Sequence, residues 1–422
     1  MTSSFYHEKR KAFYRGISGF WPDLYGEEYA LFDIAVLEGA EFQAIRDASG
    51  KIGHILFKTN ELLRNLDEGS LAEMGYPAET IPYLGQKPAL FETTIARLDL
   101  ALTPSGIKVL EINSDTPTFI KECFSVNGRL CAEFGMENPN YSLEGVLADA
   151  VRKSVHAAAA SVSVSHPYII FTAHGENIED RETSIYLKEI SGVPSKFVPL
   201  DQLSIEQGEG LFDSHGIKID VLYRQTYPIE NMVKDQDEQG NPIGIWLLEL
   251  VAEGKLAIVN PVSAFLLQNK AVLAIIWNLH MEGNPFYTEQ EHGWIDEFFL
   301  PSYLEPDPFL EQGKKFVKKP VFGREGDTVE IFSAGGSLEL ADEQTSYSEY
   351  VSLYQEFAEL PKMRFQSEKG EQDGHILTGC FLIGGKPAAI GFRAGGPITN
   401  NLSYFLPVAE GKGKGSPAPM AR

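Results

Sequence analysis

The stretch Arg97-Leu-Asp-Leu-Ala-Leu-Thr-Pro-Ser-Gly-Ile-Lys-Val-Leu-Glu-Ile-Asn113 gathers an arginine, two carboxylates and an amide at a spacing that can do chemistry. Asp99 alternates with Leu98, Leu100 and Leu102, so in a strand it faces away from those leucines. Thr103-Pro-Ser-Gly106 supplies a turn. The return strand, Ile107 to Ile112, brings Glu111 and Asn113, two apart and hence on one face, back beside Arg97 and Asp99. Oxygen donors such as those of Asp99, Glu111 and Asn113 suit a hard cation, Mg²⁺ above all, which keeps waters and shares substrate phosphates. A fixed guanidinium at Arg97 suits charge developing on a phosphoryl or tetrahedral centre. The bland alternative is a half-exposed hairpin whose polar face meets water.

The elements that must position this cluster read as follows. Within residues 5 to 65, apolar spacing of three and four, including Glu27 to Leu37 running into Phe42-Gln-Ala-Ile-Arg46, predicts amphipathic helices. Their aromatics, Tyr14, Phe20, Trp21 and Tyr25, read as core. Asp115-Thr-Pro-Thr118 predicts a turn opening onto a helix that contains Glu122, where amides and hydroxyls could hold a carboxylate or simply cap the helix. From about 166 to 260 strands alternate with helices: Tyr168 to Thr172, Ser195 to Leu200, Ile217 to Tyr223 and Leu256 to Asn260 as strands, Glu179 to Ile190 and Ile245 to Ala252 as helices. That order predicts a small Rossmann-like unit with a largely parallel sheet. It has no dinucleotide glycine fingerprint, so NAD is not indicated. His174 reads as a turn residue; Arg224, at a strand end, could reach a substrate carboxylate or form a surface ion pair. Cys123 reads as a small buried residue.

Past Pro261, Asn269-Lys270 opens an apolar helix, Ala271 to Leu279. Phe316 to Ile331 reads strand, glycine loop, strand, with Gly323 and Gly326 able to fold over phosphates and Lys319 supplying charge. Two apparent motifs fail. Asp235 to Gly240 lacks the bidentate Glu of a calcium loop, since Trp246 stands there. Gly379 to Lys386 has the wrong glycine spacing for a phosphate loop, and Pro387 follows.

The chain of 422 residues is long enough for two or three domains. Its 43% hydrophobic and 23% charged residues are those of a globular protein. A net charge of −23 argues against a nucleic-acid partner, while leaving room for a local basic pocket and for a cationic amine. Three cysteines without paired spacing indicate neither a disulfide framework nor a zinc site. No signal core and no membrane-length apolar run is present, so the expectation is a cytoplasmic protein without a membrane partner.

Taken together, the segments resemble the synthetase domain of the glutathionylspermidine synthase family of ATP-grasp ligases. The pieces are Arg97-x-Asp99 with Glu111-x-Asn113-x-Asp-Thr-Pro-Thr118, Asn269-Lys270, Lys319-Pro-Val-Phe-Gly-Arg-Glu-Gly326, Tyr354-Gln-Glu-Phe357 and Gly384-Gly-Lys-Pro-Ala-Ala-Ile-Gly-Phe-Arg393, in order from the Phe20-Trp21 region to Phe405-Leu-Pro407. The resemblance implies a mixed α/β (α+β) ATP-grasp fold with an inserted Rossmann-like pre-ATP-grasp domain. It divides the chain into 1–165 with the metal-binding hairpin, 166–262 as the inserted substrate domain, 263–410 as the nucleotide and lid region, and 411–422 as a flexible tail. It implies an ATP- and Mg²⁺-dependent ligase that joins a carboxylate to an amine through an acylphosphate. The resemblance suggests glutathione and spermidine as the pair, but synthetase-only relatives need not use them, and other carboxylates, peptides or amines remain open. Carried over by position, Asp99, Glu111 and Asn113 hold Mg²⁺, and Lys270 and Lys319 hold ATP phosphates. Arg97 and Arg393 steady the acylphosphate, and Thr116 and Thr118 meet the peptide substrate. Gly323 to Gly326 close as a lid, and Gln355, Glu356 and Phe357 form the adenine hinge. Arg-Leu-Asp-Leu departs from the family's usual Arg-Phe-Asp, and Met281 to Leu300 departs in length and content. No amidase region precedes the matching part, so a second, hydrolytic activity is not expected. A nucleotide-binding scaffold or sensor, and a peptide or amino-acid ligase with other substrates, are the alternative readings.

Overall fold

The hairpin leucines decide where the core lies. In the computed structural model, which describes residues 3–225 and 228–411, Leu98, Leu100, Val109 and Ile112 are sealed in the main hydrophobic cluster. Strands Ile95–Thr103 and Gly106–Asn113 pair antiparallel with Arg97 opposite Asn113 and Asp99 opposite Glu111. Gly370–Ile383 lies along the other edge of Ile95–Thr103 and puts Gly379 opposite Asp99. A Cβ at position 379 would come within 3.3 Å of the Arg97 side chain, so glycine leaves room for the arginine to lie across the strand. Lys386–Gly395, Tyr404–Leu406 and Lys362–Ser367 complete an antiparallel sheet of six strands. The 25-residue helix Gly39–Leu63, entered through a capping box of Glu38 and Glu41, covers the apolar face with Phe42, Ile45, Ile52, Ile55 and Leu56.

A second antiparallel sheet, of five strands, centres on Phe316–Pro320, flanked by Ser352–Glu356 and Glu330–Phe332. The apolar helix Ala271–Met281 packs beside it. Helix Glu289–Phe298, inside the segment where the sequence departs from the family, lies against the hairpin. There Lys108 Nζ donates to the carbonyls of Asp296 and Glu297 at 3.2 and 2.7 Å. It is tied to Gly39–Leu63 by Lys58 and His54, each 2.7 Å from Glu291.

The third layer is a parallel sheet ordered Ala257–Val259, Val221–Arg224, Ile169–Thr172, Lys196–Phe197, with helices Leu143–Ser161 and Ile178–Ser191 against it. The parallel unit expected from strand and helix alternation is therefore present. Two of its strands are shorter than their apolar runs: only Lys196–Phe197 pairs within Ser195–Leu200, and Ile217–Tyr223 is cut at Asp220. Lys218–Ile219 goes to a small antiparallel sheet and Val221–Arg224 to the parallel one.

Other expectations are corrected. Glu27 to Leu37 is not helical: Glu27–Glu28 pairs with Asp23–Leu24, and Ala35–Glu38 pairs in parallel with Val408–Gly411. Buried Glu28, at 3.2 Å from Arg10 and accepting from Tyr6 at 2.8 Å, fixes that turn in place of helical periodicity. Tyr14, Phe20 and Trp21 are core, but Tyr25 is 64% exposed, in the left-handed region at φ 54°. The helix after Thr118 contains a π-helical turn, Glu122–Val126, with Glu122 buried. Cys123, Cys131 and Cys380 are buried thiols. Among the described residues no helix is long and apolar enough to cross a membrane, and the tail beyond Gly411 lies outside them.

Arg224 is neither a surface ion pair nor a substrate contact. Its side chain is 1% exposed and grips Asp115, itself 0% exposed, through two nitrogens: Nη1 donates to Oδ2 at 3.0 Å and Nη2 donates to Oδ1. The pair pins the parallel sheet to the turn after the hairpin. Removing one partner of such a pair leaves a buried charge uncompensated. Asp115→Ala should therefore lower stability by about 3–5 kcal/mol, read from the urea midpoint at unchanged slope.

Candidate active site

The hairpin's polar face opens on two adjoining chambers. One is lined by Arg97, Asp99, Glu111, Asn113, Thr116, Thr118, Gly326 and Arg393 among others. The other, between the two antiparallel sheets, is lined by Asp99, Glu111, Lys270, Lys319, Gly323, Gly326, Gln355, Glu356 and Phe357 among others. All fourteen residues singled out in the sequence face one chamber or the other, and Asp99, Glu111 and Gly326 line both.

Arg97 holds Asp99 in a bidentate pair, Nε to Oδ1 at 2.6 Å and Nη2 to Oδ2 at 3.0 Å. Its Nη1 donates to the carbonyl of Thr118 at 2.9 Å, which binds the hairpin to the following turn. Asn113 Nδ2 lies 3.3 Å from Asp99 Oδ2 and 3.5 Å from Glu111 Oε1. Burial would raise the Glu111 carboxyl, but Lys270, Lys319 and Arg97 outweigh it and hold the group below its ordinary range. It stays ionised. Lys270 Nζ stands 3.4 Å from Glu111 and donates to the carbonyl of Gly323 at 2.8 Å, at the root of the glycine loop. Lys319 Nζ donates to the carbonyl of Leu110 and to Gln355 Oε1, at 2.8 and 2.9 Å. Burial lowers Lys319 to about 8, with Glu111 opposing and Lys270 adding to the fall.

The second chamber has an apolar wall of Leu110, Val317, Val329, Ile331, Phe357, Leu360 and Leu377. A flat heteroaromatic ring could lie there with its anionic part toward the lysines. Phe357 packs under Lys315, whose Nζ is 4.1 Å from the ring centre. The glycine loop is the roof. Gly326 sits at φ +73°, and a Cβ there would come within 2.6 Å of the Thr399 carbonyl, so a side chain would push the loop off its seat.

The donor set fits a hard cation shared with a ligand. Asp99, Glu111 and Asn113 offer oxygens on one face. Among the described residues no group of three or more His, Cys, Asp or Glu could hold a metal by itself. Two carboxylates with the rest supplied by phosphate and water is how Mg²⁺ is usually held.

The sequence reading gave no role to several lining residues. Arg324, between the two glycines, faces both chambers, and both its terminal nitrogens lie 3.4 Å from Thr116 Oγ1. Its place inside the glycine loop was the available signal. Glu179, Glu325, Tyr25 and Tyr29 line the first chamber. Tyr29 donates to buried Glu122 at 2.6 Å. Burial, then Glu122, push the Glu179 carboxyl well above its ordinary range. Glu325 shares that loop signal with Arg324, whereas nothing in the local sequence marked Glu179 or Tyr29 as site residues, because they come together only through folding, and Tyr25 reads as core from the sequence.

A model of the family described as glutathionylspermidine synthase preATP-grasp matches residues 8–409. The chain belongs to that family. A proposed acid–amine ligase of Haemophilus influenzae is 21% identical over 410 residues, covering 92% of this chain and 91% of that protein. The bifunctional glutathionylspermidine synthetase/amidase of Escherichia coli is 21% identical over 371 residues, covering 83% of this chain. The match spans 54% of that enzyme's length. A glutathione synthetase-like effector from Globodera pallida, in its apo form, superposes with a TM-score of 0.55 over 89% of each chain at 11% identity, a likeness of fold alone.

For this member of the glutathionylspermidine synthase preATP-grasp family, Lys319 generates a pH test. It carries its charge at neutral pH and loses it as pH rises through about 8. Affinity for tripolyphosphate should therefore fall above pH 8. Binding at pH 8 should take up protons, because the bound anion favours the charged amine. Calorimetry in buffers of different ionisation enthalpy measures the uptake, and Lys319→Arg should abolish it while keeping affinity.

Proposed function

We propose that the chain is an ATP-dependent carboxylate–amine ligase of ATP-grasp fold, forming an amide through an acylphosphate. The observation that carries this is the junction of the chambers: an apolar-walled one with two lysines and a polar one with arginines and carboxylates meet at Asp99, Glu111 and the glycine loop. ATP fits the apolar-walled chamber, with adenine between the sheets at Gln355, Glu356 and Phe357 and phosphates at Lys270 and Lys319. The carboxylate substrate fits the polar chamber, beside Thr116, Thr118 and Arg97. In this reading residues 1–165 and 263–410 are the ligase core and 166–262 the inserted Rossmann-like domain.

The substrate carboxylate attacks the γ-phosphoryl group and ADP leaves; the amine then attacks the acyl carbon and phosphate leaves. Asp99, Glu111 and Asn113 would hold Mg²⁺, which would supply charge neutralisation at the phosphate oxygens. Arg97, oriented by Asp99 and by the Thr118 carbonyl, is aimed at the oxygen that gains charge at each step. Arg393, whose Nη2 donates to the Asn400 carbonyl at 2.7 Å, supports the same centre from the far strand. Arg324 reaches the reacting anion from the roof. The attacking amine gives up a proton as the amide forms, and the departing phosphate can carry it away. Glu325 on the chamber wall suits a cationic amine. Glutathione and spermidine, named for the Escherichia coli relative, are the first pair to try.

An ADP-release screen of carboxylates and peptides against amines, glutathione and spermidine included, tests the reading, with Glu111→Ala as the blank. ADP above the blank with one pair, plus product amide, is expected. Thermal stabilisation by Mg-ATP without ADP from any pair would favour the scaffold reading instead. With an active pair, Arg97→Ala should lower kcat by about 10²–10³, with a much smaller change in ATP affinity.

A further inference from the structure

Glu230 does not line either chamber, yet it faces the arginine at their junction. It lies in the helical turn Ile229–Met232, just after the parallel strand that ends at Arg224. It is 2% exposed. Its Oε1 stands 3.6 Å from Arg324 Nε, while its Oε2 accepts no hydrogen bond and Arg324 Nε donates none. A separation of 3.6 Å is beyond hydrogen-bond reach. What links the two groups is charge, acting through a buried and therefore weakly screened gap. Burial raises the Glu230 carboxyl above its ordinary value, with Asp115 adding to the rise, while Arg324 is the main group opposing it and Lys270 helps.

A buried carboxylate oxygen without a donor is costly, and packing alone gives no reason for an acid at this position. The arginine gives one. Its terminal nitrogens lie beside Thr116 Oγ1 at 3.4 Å, so the guanidinium is stretched between the turn after the hairpin and Glu230. Both anchors are fixed from the same side. Asp115, next to Thr116, is gripped by Arg224, and Glu230 follows Arg224 on the same unit.

We infer that Glu230 is a positioning residue: its charge, presented by the parallel α/β unit, holds Arg324 over the junction of the two chambers and so seats the loop Gly323 to Gly326. The weak coupling matters as much as the attraction. Because no hydrogen bond joins the pair, Arg324 can turn to an anion at the junction without breaking one to Glu230. The seating of the loop does not depend on the ligase reading; only the identity of the anion rests on it.

Trypsin gives a direct readout, because it cuts after Arg324 within the loop, and cleavage of a transiently opened segment follows the open population. In the full chain, Glu230→Gln should be nicked after Arg324 about tenfold faster than the parent. Glu230→Asp should restore much of the protection. The melting temperature of Glu230→Gln should stay near that of the parent, since glutamine keeps the shape and the remaining charge, on Arg324 at 26% exposure, can be hydrated. Parental nicking in Glu230→Gln, or an equal acceleration at every tryptic site, would overturn the inference. Mg-ATP added to the parent separates the two claims. Unchanged nicking and no binding heat would count against the nucleotide reading, while the comparison without ligand still decides the role of Glu230.

Discussion

Asp99 and Glu111 stand directly opposite each other across an antiparallel pair, a placement that costs stability when both are charged. The site depends on what makes this tolerable. Arg97 takes Asp99 in a fork, while Lys270, at the start of the helix Ala271–Met281, and Lys319, on the second sheet, bracket Glu111. Remove these cations and a carboxylate must protonate or the hairpin must shift. Two anions against three cations leave the cluster with a local positive excess inside a chain whose net charge is −23. At such distances the local groups outweigh a screened global field, so an acidic protein can still present a pocket for a polyphosphate.

The same requirement explains why three layers converge here. The hairpin brings the carboxylates, the five-stranded sheet brings Lys319 and the glycine loop, and the α/β unit fixes the connecting turn. That turn is held by buried amides as well as by Arg224. Gln268 Oε1 accepts from the backbone of Ser114 and Asp115 at 3.0 and 3.3 Å, and Asn260 Nδ2 donates to their carbonyls at 3.3 and 2.6 Å. Saturated buried networks of this kind define one geometry and exclude near alternatives. Thr116 and Thr118 therefore ride on a turn tied down by buried hydrogen bonds, the kind of support that the proposed carboxylate site would need.

The hairpin was legible in the sequence because its signal is local: period-two alternation on both arms, a turn between, and one polar face. The parallel unit was legible for a similar reason, short apolar runs spaced by helices. Reading failed where long-range partners decide. Ala35–Glu38 is a strand because Val408–Gly411 lies beside it, and no window around residue 35 contains that information. Arg224 looked like a surface residue because Asp115, 109 positions away, is invisible from residue 224. Arg324 was in plain view between two glycines, but only the fold shows that its side chain spans both chambers.

Arg224 and Arg324 show how one α/β unit can do two mechanical jobs. Both meet acids from neighbouring positions: Arg224 lies on the unit and grips an acid of the turn, while Arg324 lies on the loop and faces an acid of the unit. The first pair is forked at hydrogen-bond distance with both side chains excluded from water, so separating them strands two buried charges. The second stops at 3.6 Å, with the arginine side chain 26% exposed. Moving that arginine a short way trades one electrostatic partner for another and breaks no hydrogen bond to the acid. A saturated pair therefore sets the fixed frame and an unsaturated one leaves the adjustable part, and the difference lies in donor geometry and burial, not in residue type.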